Sequence, residues 1–453
     1  MNSRNQNRHV AAQQGGDGRS VLRRAETRRQ ASIREAAAER DVAEDADALG
    51  RSAFRLRADQ VLIASALGLL AIGLVMMYSV SSAVGFFRTD GDLNFYLRQQ
   101  SLVAIAGVVC LVVVSRVDYR HWRRLALFGV AVTVVLLLAV HLPGVGRSAG
   151  GASRWLDLGP LPLQPSEVAK LAVILVGSHL LASKRAQSGS SKDLVLPFGA
   201  IVAVICVLIL WQRDLGTIVV VAVATMGLLW VAGMRVRDWI GLAGGGVGLV
   251  LLAIFTEDYR RERFLAFLDP FAQAQDSGFQ IVQSFLAMGS GGWFGVGPGL
   301  SVQKFSYLPE AHTDMILAVL GEELGLVGVG LVIALFAVFA ASGLALARRC
   351  AEPFGRYLVA GCTFLIVGQA GINMGGVMGA LPLTGVPLPF ISYGRTNLLI
   401  VLIAVGIMLS VARFGPVATP IAAHIERREP PNVTHIDSRR RYGGPRGARP
   451  GHR

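Results

Sequence analysis

Ten runs of roughly 20 residues with almost no charge recur along this 453-residue chain, and no other feature constrains its folding as strongly. A bilayer core of about 30 Å takes about 20 residues of helix, and every backbone polar group within it must find a partner internally. The runs lie near 60–84, 97–115, 125–142, 164–182, 194–211, 215–233, 239–256, 324–347, 357–376 and 396–413. They are apolar on all sides, whereas membrane strands alternate apolar and polar residues over about ten positions. The expectation is an all-α integral membrane protein with about ten transmembrane helices. Composition agrees. Hydrophobic residues make up 53% of the chain and charged residues 16%, against about 25% charged in a soluble domain.

The formal net charge of +14 would suggest nucleic acid in a soluble protein. Here its location decides. With the N-terminus inside, the inner loops 116–124, 183–193, 234–238 and 348–356 hold twelve Lys or Arg in 34 residues. The outer loops, roughly three times as long, hold nine, a bias that predicts both termini inside. Most of the remaining positive charge lies in a tail over 1–57 and a Pro-, Gly- and Arg-rich tail over 414–453. These flank a membrane domain over 58–413 and read as cytoplasmic segments that contact anionic lipid, the second of them disordered. The polar first 57 residues predict no ordinary signal peptide. Three of the four cysteines fall inside spans, so no disulfide is expected.

Three outer segments are more than connections. The largest, about 257–313, is too long for a structureless loop without a task. It contains Phe279-Gln280-Ile-Val-Gln-Ser284, the glycine-dense Gly289-Ser290-Gly-Gly-Trp-Phe-Gly295, and Leu308-Pro-Glu-Ala-His312-Thr-Asp314. From Met315 to Ala347 a single helix would be about 50 Å long, so 314–323 is expected as a half-helix leading into the true span. Asp314 at its start suits either a dipole-favoured first-turn carboxylate or a catalytic one. Glu322 and Glu323 stand at membrane depth, where carboxylates face a cavity or a partner. The second segment runs from Gly150 through Arg154-Trp155 to Gln164-Pro-Ser-Glu167-Val-Ala-Lys170. Glu167 and Lys170 project from one side of a helix, as a local ion pair or as binding groups. Arg154 and the pair Arg213-Asp214 are open in the same way between anion binding and interfacial anchoring. The third segment, Leu381 to Gly394, has three prolines that forbid continuous helix. Being apolar at membrane depth, it is expected to wall a site. Gln369 and Asn373 share a face of the ninth span and read as interhelical hydrogen bonds.

Together these stretches resemble the SEDS (shape, elongation, division, sporulation) family of bacterial cell-wall proteins. The matching residues are Gly151-Ala-Ser-Arg-Trp155, Gln164 to Lys170, Asp214-Leu-Gly-Thr217, Gly289-Ser-Gly-Gly292, Leu308 to Asp314 with Gly321-Glu-Glu-Leu-Gly325, and Leu381 to Gly394. Six segments in register make the likeness specific. It implies a peptidoglycan glycosyltransferase that polymerises lipid II into β-1,4-linked glycan on the outer face of the cytoplasmic membrane. The stretch 308–314, preceded by Val302-Gln-Lys304, is closer to the family's division member than to its elongation member, which implies septal synthesis at the division site. By the same resemblance Asp314 is the catalytic residue, Arg154 is the arginine of the family's Arg-Trp pair, and Glu167 and Lys170 are polar residues of a central cavity. With Arg213, Asp214, Gln280, Ser290, His312 and Arg395, these last three make up the substrate- or diphosphate-binding candidates. Two departures stand out. Arg395 follows Ile391-Ser-Tyr-Gly394 where the family has glycine, and Arg213 stands where it has proline.

The implied partners are lipid II, a glycan carried on undecaprenyl diphosphate, a class B penicillin-binding protein (a transpeptidase) and other division proteins. No metal cage is visible, and a divalent cation, Mg²⁺ or Mn²⁺, is allowed without being required. Alternatives from other classes are a lipid II flippase and a noncatalytic division scaffold.

Overall fold

The computed structural model describes residues 58–416, apart from 83–91, 150–151, 158, 160–161, 184–190 and 306–307. The tails expected over 1–57 and 417–453 lie outside the described residues. Each of the ten apolar runs is helical. In chain order the helices are α1 (Ala58–Ser82), α2 (Phe95–Arg116), α3 (Arg120–Ala139), α4 (Pro165–Leu181), α5 (Ser191–Trp211), α6 (Leu215–Val231) and α7 (Val236–Phe255). Two helices that the sequence reading did not foresee, α8 (Asp258–Leu268) and α9 (Phe279–Gly291), occupy the long segment before α10 (Ile316–Arg349), α11 (Pro353–Val377) and α12 (Arg395–Phe414). Among the described residues seven helices are by themselves long and apolar enough to cross a membrane: α1, α2, α3, α7, α10, α11 and α12. Of the other three helices that match apolar runs, α4 carries buried charge, and the apolar stretches of α5 (Leu196–Trp211) and α6 are shorter. Helices α4 and α6 have 17 residues each, about 25 Å of rise.

Local chemistry sets the helix starts. Pro165 and Pro353 open α4 and α11, where a missing N–H costs nothing and the fixed φ is already helical. Asp214 caps α6 by accepting the Thr217 N–H at 3.1 Å. One element was not anticipated. Between α3 and α4 the chain forms an antiparallel hairpin of β1 (Gly146–Ala149) and β2 (Ala152–Leu156), short enough that no apolar alternation betrays it.

Helix α11 is the hub and packs on α4, α6, α9, α10 and α12, while α2 lies along α12. Burial follows this arrangement. About 72% of the apolar window of α11 and α12 is buried, against 6% for α7. An apolar helix so little covered by protein presents its surface to lipid tails, which are as apolar as leucine.

The expected half-helix is present, and α10 breaks at Gly325 (φ 66°, ψ −165°). A continuous helix would pair Leu326 N with the Glu322 carbonyl and Val327 N with that of Glu323. Instead Leu326 N donates to Gly292 O (2.9 Å) and Val327 N to Trp293 O (3.1 Å). The Glu322 and Glu323 carbonyls accept from Val296 N (2.9 Å) and Gly297 N (3.1 Å). The stretch 292–297 is thus spliced into the opened helix. Side chains complete the splice. Glu322 accepts Val302 N (2.9 Å) and the Ser301 hydroxyl, and buried Lys304 gives its Nζ to Glu323 (2.9 Å), Ser79 of α1 (2.8 Å) and Gly299 O (2.7 Å).

A Cβ at Gly325 would fall 2.5 Å from Gly295 N and from the Trp293 carbonyl, in a backbone region that only glycine enters readily. Gly325→Ala is therefore expected to lower stability by about 1–3 kcal/mol or more. Thermal unfolding of the detergent-purified variant checks this, and an unchanged midpoint would contradict the account of the break.

Candidate functional site

The break leaves Asp314 in the turn just before a buried half-helix. That turn is tight: Glu310 has φ 53°, and its carbonyl accepts Thr313 N at 3.0 Å and Met315 N at 3.3 Å. Asp314 is 9% exposed. Its Oδ1 lies 3.2 Å from the Thr313 hydroxyl, which is also 3.1 Å from Glu310 Oε2. Burial pushes the Asp314 carboxyl up to about 6, the Glu310 carboxylate adds to the rise, and Arg263 of α8 pulls the other way. A buried acid is harder to ionise because the charged form loses water.

The proline segment closes over this turn. Gly385 (φ 70°) presents its bare Cα there, and a Cβ would lie 3.8 Å from Asp314 Oδ2. His312 is buried between the rings of Tyr96, 4.7 Å away, and Tyr393, 5.7 Å away. Tyr393 N donates to His312 O at 2.8 Å, and its hydroxyl to Gln99 of α2 at 2.6 Å. Gln100 Nε2 donates to Ser392 O at 3.1 Å. The segment therefore holds irregular backbone at depth by pairing it with α2 and with the Asp314 turn, as such backbone requires.

A polar chain runs from here into the bundle. Asn373 Nδ2 donates to both Asp314 O and Val386 O, each at 2.8 Å. One helical turn away, Gln369 Nε2 donates to Pro387 O (2.8 Å) and its Oε1 accepts Lys170 Nζ (2.6 Å). Lys170 pairs with Glu167 at 2.7 Å, and Glu167 also accepts Asn397 Nδ2 at 2.8 Å. Both charged side chains are within 3% of full burial. The ion pair that the spacing allows is therefore present.

The remaining candidates fall elsewhere. Asp214 accepts from Thr217, Ser166 Oγ (2.9 Å) and Gln164 Nε2 (3.3 Å), which ties α4 to α6. Arg154 gives Nη2 to Arg213 O (2.7 Å) and Nε to Gln212 O (3.3 Å). It thereby holds the left-handed turn at Arg213 (φ 58°). Arg213 is exposed and 3.9 Å from Glu257. Half-buried Arg395 begins α12 and has no hydrogen bond or ion pair among the described residues. Gln280 reaches Pro309 O at 3.5 Å, and Ser290 bonds to Ala287 O of its own helix at 2.9 Å. The structure thus joins Asp314, His312 and, through α11, Glu167 and Lys170 in one network. Arg154, Arg213 and Asp214 form a second group, and Ser290 joins neither. Arg263, which bears on Asp314, carried no sequence signal because the fold of α8 alone brings it near. Among the described residues no three His, Cys, Asp or Glu side chains gather as a metal cluster. A cation bridging one carboxylate and substrate phosphates would need none.

Fold and site define a polytopic helical membrane protein with a buried carboxyl of raised pKa under an irregular, proline-rich cover. A family of cell cycle proteins that includes FtsW, RodA and SpoVE matches residues 59–415. The chain is 40% identical over 356 residues to the probable peptidoglycan glycosyltransferase FtsW of Geobacter metallireducens, covering 79% of this chain and 95% of the relative. It is likewise 40% identical over 359 residues to that of Mycobacterium tuberculosis, covering 79% and 68%. Among solved structures, one chain of a peptidoglycan synthase complex superposes with a TM-score of 0.65 at 28% identity, covering 78% of this chain and 96% of its own. The rod shape-determining protein RodA of Thermus thermophilus gives 0.58 at 27%, covering 78% and 95%. The chain belongs to the FtsW/RodA/SpoVE family.

Removing one member of a buried ion pair strands the other charge, at a cost of about 3–5 kcal/mol, whereas an apolar replacement of both is often close to neutral. Lys170→Met is therefore expected to lose folded protein sharply, and the double variant Lys170→Met, Glu167→Leu to regain most of it. Thermal midpoints around this cycle measure the coupling, and strict additivity would remove the pair from the account.

Proposed function

We propose that this protein is a peptidoglycan glycosyltransferase of the division type that polymerises lipid II, with Asp314 as general base. The observation that carries the reading is the state of Asp314 in a chain of this family. It is a buried carboxyl whose pKa of about 6 makes it a stronger base than an ordinary aspartate, yet one still ionised near neutral pH. The family likeness supplies the substrate class. A lipid-linked substrate suits a site at membrane depth, since its tail stays in lipid while its sugars remain in water.

In the proposed reaction the 4-hydroxyl of one lipid-linked disaccharide attacks the anomeric carbon of another. Asp314 takes the hydroxyl proton as the new C–O bond forms. The bond from the anomeric carbon to phosphate breaks, and undecaprenyl diphosphate leaves with its electron pair. A single displacement at an α-linked donor gives the β-linkage without a covalent enzyme intermediate, as in inverting glycosidase chemistry. The leaving diphosphate needs positive charge. Arg395 and exposed Arg213 have donors to offer, because Arg154 is engaged with backbone carbonyls and Lys170 with Glu167. The site faces the outside of the cytoplasmic membrane, the tails the inside, and the protein acts at the septum with a class B penicillin-binding protein. Likeness to a chain of a peptidoglycan synthase complex supports such a partner.

Asp314→Asn should abolish glycan synthesis from purified lipid II in detergent, where no translocation is needed. Near-normal synthesis would sink the assignment. A flippase would make no polymer in this assay, and a scaffold would polymerise nothing with or without its partner. The pH dependence has a definite sign. The base works ionised, so kcat/KM of the native protein should fall about tenfold per pH unit below pH 6. For stability the sign is opposite. The raised pKa means the folded state keeps a proton that the unfolded state has lost between about pH 4 and 6, so stability falls as pH rises through that window. Asp314→Asn should therefore be at least as thermostable as the native chain at pH 7 while inactive. A midpoint several degrees lower would mark Asp314 as a structural residue.

A further inference from the structure

We propose that Asn373 is a positioning residue for Asp314, locking the backbone of the Asp314 turn to the proline segment so that the carboxylate is held beneath Gly385. The inference deepens the general-base reading above and rests on it. Asn373 is buried on α11, 4% exposed, and both strong hydrogen bonds of its Nδ2 leave the helix. One ends on Asp314 O and the other on Val386 O, each at 2.8 Å. A single amide nitrogen thus ties together two irregular segments far apart in sequence, and Gly385 adjoins one of the two tied residues. Gly385 has φ 70°, and a Cβ there would lie 3.8 Å from Asp314 Oδ2.

Two observations separate this from ordinary interhelical glue. Asn373 bonds to no side chain, whereas its neighbour Gln369 joins the Glu167–Lys170 pair. Its Oδ1 is moreover buried without a hydrogen-bond partner among the described residues. Here the donor end alone is used, and it is used on the carbonyl of the reacting residue. Catalytic groups must be held to within about half an ångström of the productive geometry. Apart from this tie, the Asp314 turn, left-handed at Glu310, rests on its Glu310 carbonyl, which accepts Thr313 N and Met315 N, and on the Tyr393 N–H at the His312 carbonyl. The charged groups that bear on the carboxyl are Glu310 from the turn and Arg263 from α8.

The test compares Asn373→Ala, Asn373→Ser and Asn373→Asp with the native chain and with Asp314→Asn. Purified protein polymerises lipid II in detergent, and kcat, KM, the acid limb of the pH profile and the thermal midpoint are read. Asn373→Ala should lower kcat at least tenfold with KM within about threefold, and should move the acid limb by half a pH unit or more. Asn373→Ser, which keeps one donor, should recover part of kcat. Asn373→Asp keeps the shape and, buried against two carbonyl oxygens, stays protonated with one donor, so it should recover part of kcat as Asn373→Ser does. A kcat within twofold of native for Asn373→Ala overturns the proposal. So does a loss that tracks the folded fraction while the acid limb stays in place. If none of the three variants folds, Asn373 is structural and the proposal is equally overturned. Full activity of Asp314→Asn would instead remove the general-base reading itself, whereas an inactive Asp314→Asn beside active Asn373 variants removes only this inference.

Discussion

The interruption of α10 at Gly325 is the constraint on which the rest depends. A membrane helix cannot simply stop, because each unpaired backbone group in an apolar medium costs several kcal/mol. The chain meets this by splicing residues 292–297 into the opened helix, so that the donors and acceptors freed by the break are taken up. The Glu322 and Lys304 side chains then hold the adjoining loop against the half-helix and α1. With the half-helix fixed in this way, Asp314 comes to a defined place. A straight α10 would carry its first turns well past the bilayer core and leave the carboxyl in water.

The interior obeys a second constraint. Helices in lipid gain little from hiding apolar surface against one another, so packing detail and polar contacts decide how they associate. The buried chain from Asn397 and Glu167 through Lys170 and Gln369 to Pro387 does this work across α4, α11 and α12. It also anchors the proline segment through the Pro387 carbonyl. The same residues that hold the helices together therefore shape the cover over Asp314. Stability and site geometry share one network, which explains why so much charge sits inside a chain with so little charge overall.

Much of this was legible in the residues. Apolar runs located every large helix, because burial in lipid demands an uninterrupted hydrophobic surface and no tertiary detail can hide it. The three prolines of 381–394 marked irregular backbone, and the excessive length from Met315 to Ala347 exposed the break in α10. The helices α8 and α9 and the hairpin at 146–156 were not legible. Helix α8 is polar, and the hairpin strands have four and five residues, so each depends on neighbours more than on its own pattern.

The candidate residues divide in the same way. Local spacing was enough to put Glu167 and Lys170 on one side of a helix, since residues three apart are neighbours there. Spacing could not tell that Arg154 would turn to the carbonyls of Gln212 and Arg213, that Lys304 would enter the interior, or that Asn373 would reach the backbone of Asp314. Those outcomes join residues distant in the chain. The sequence by itself determined the solvent, the helices and the places where helix must fail, because these follow from hydrophobicity and from the backbone chemistry of proline and glycine. Only the tertiary structure decided which buried polar group meets which, because a hydrogen bond at membrane depth depends on the docking of separate helices.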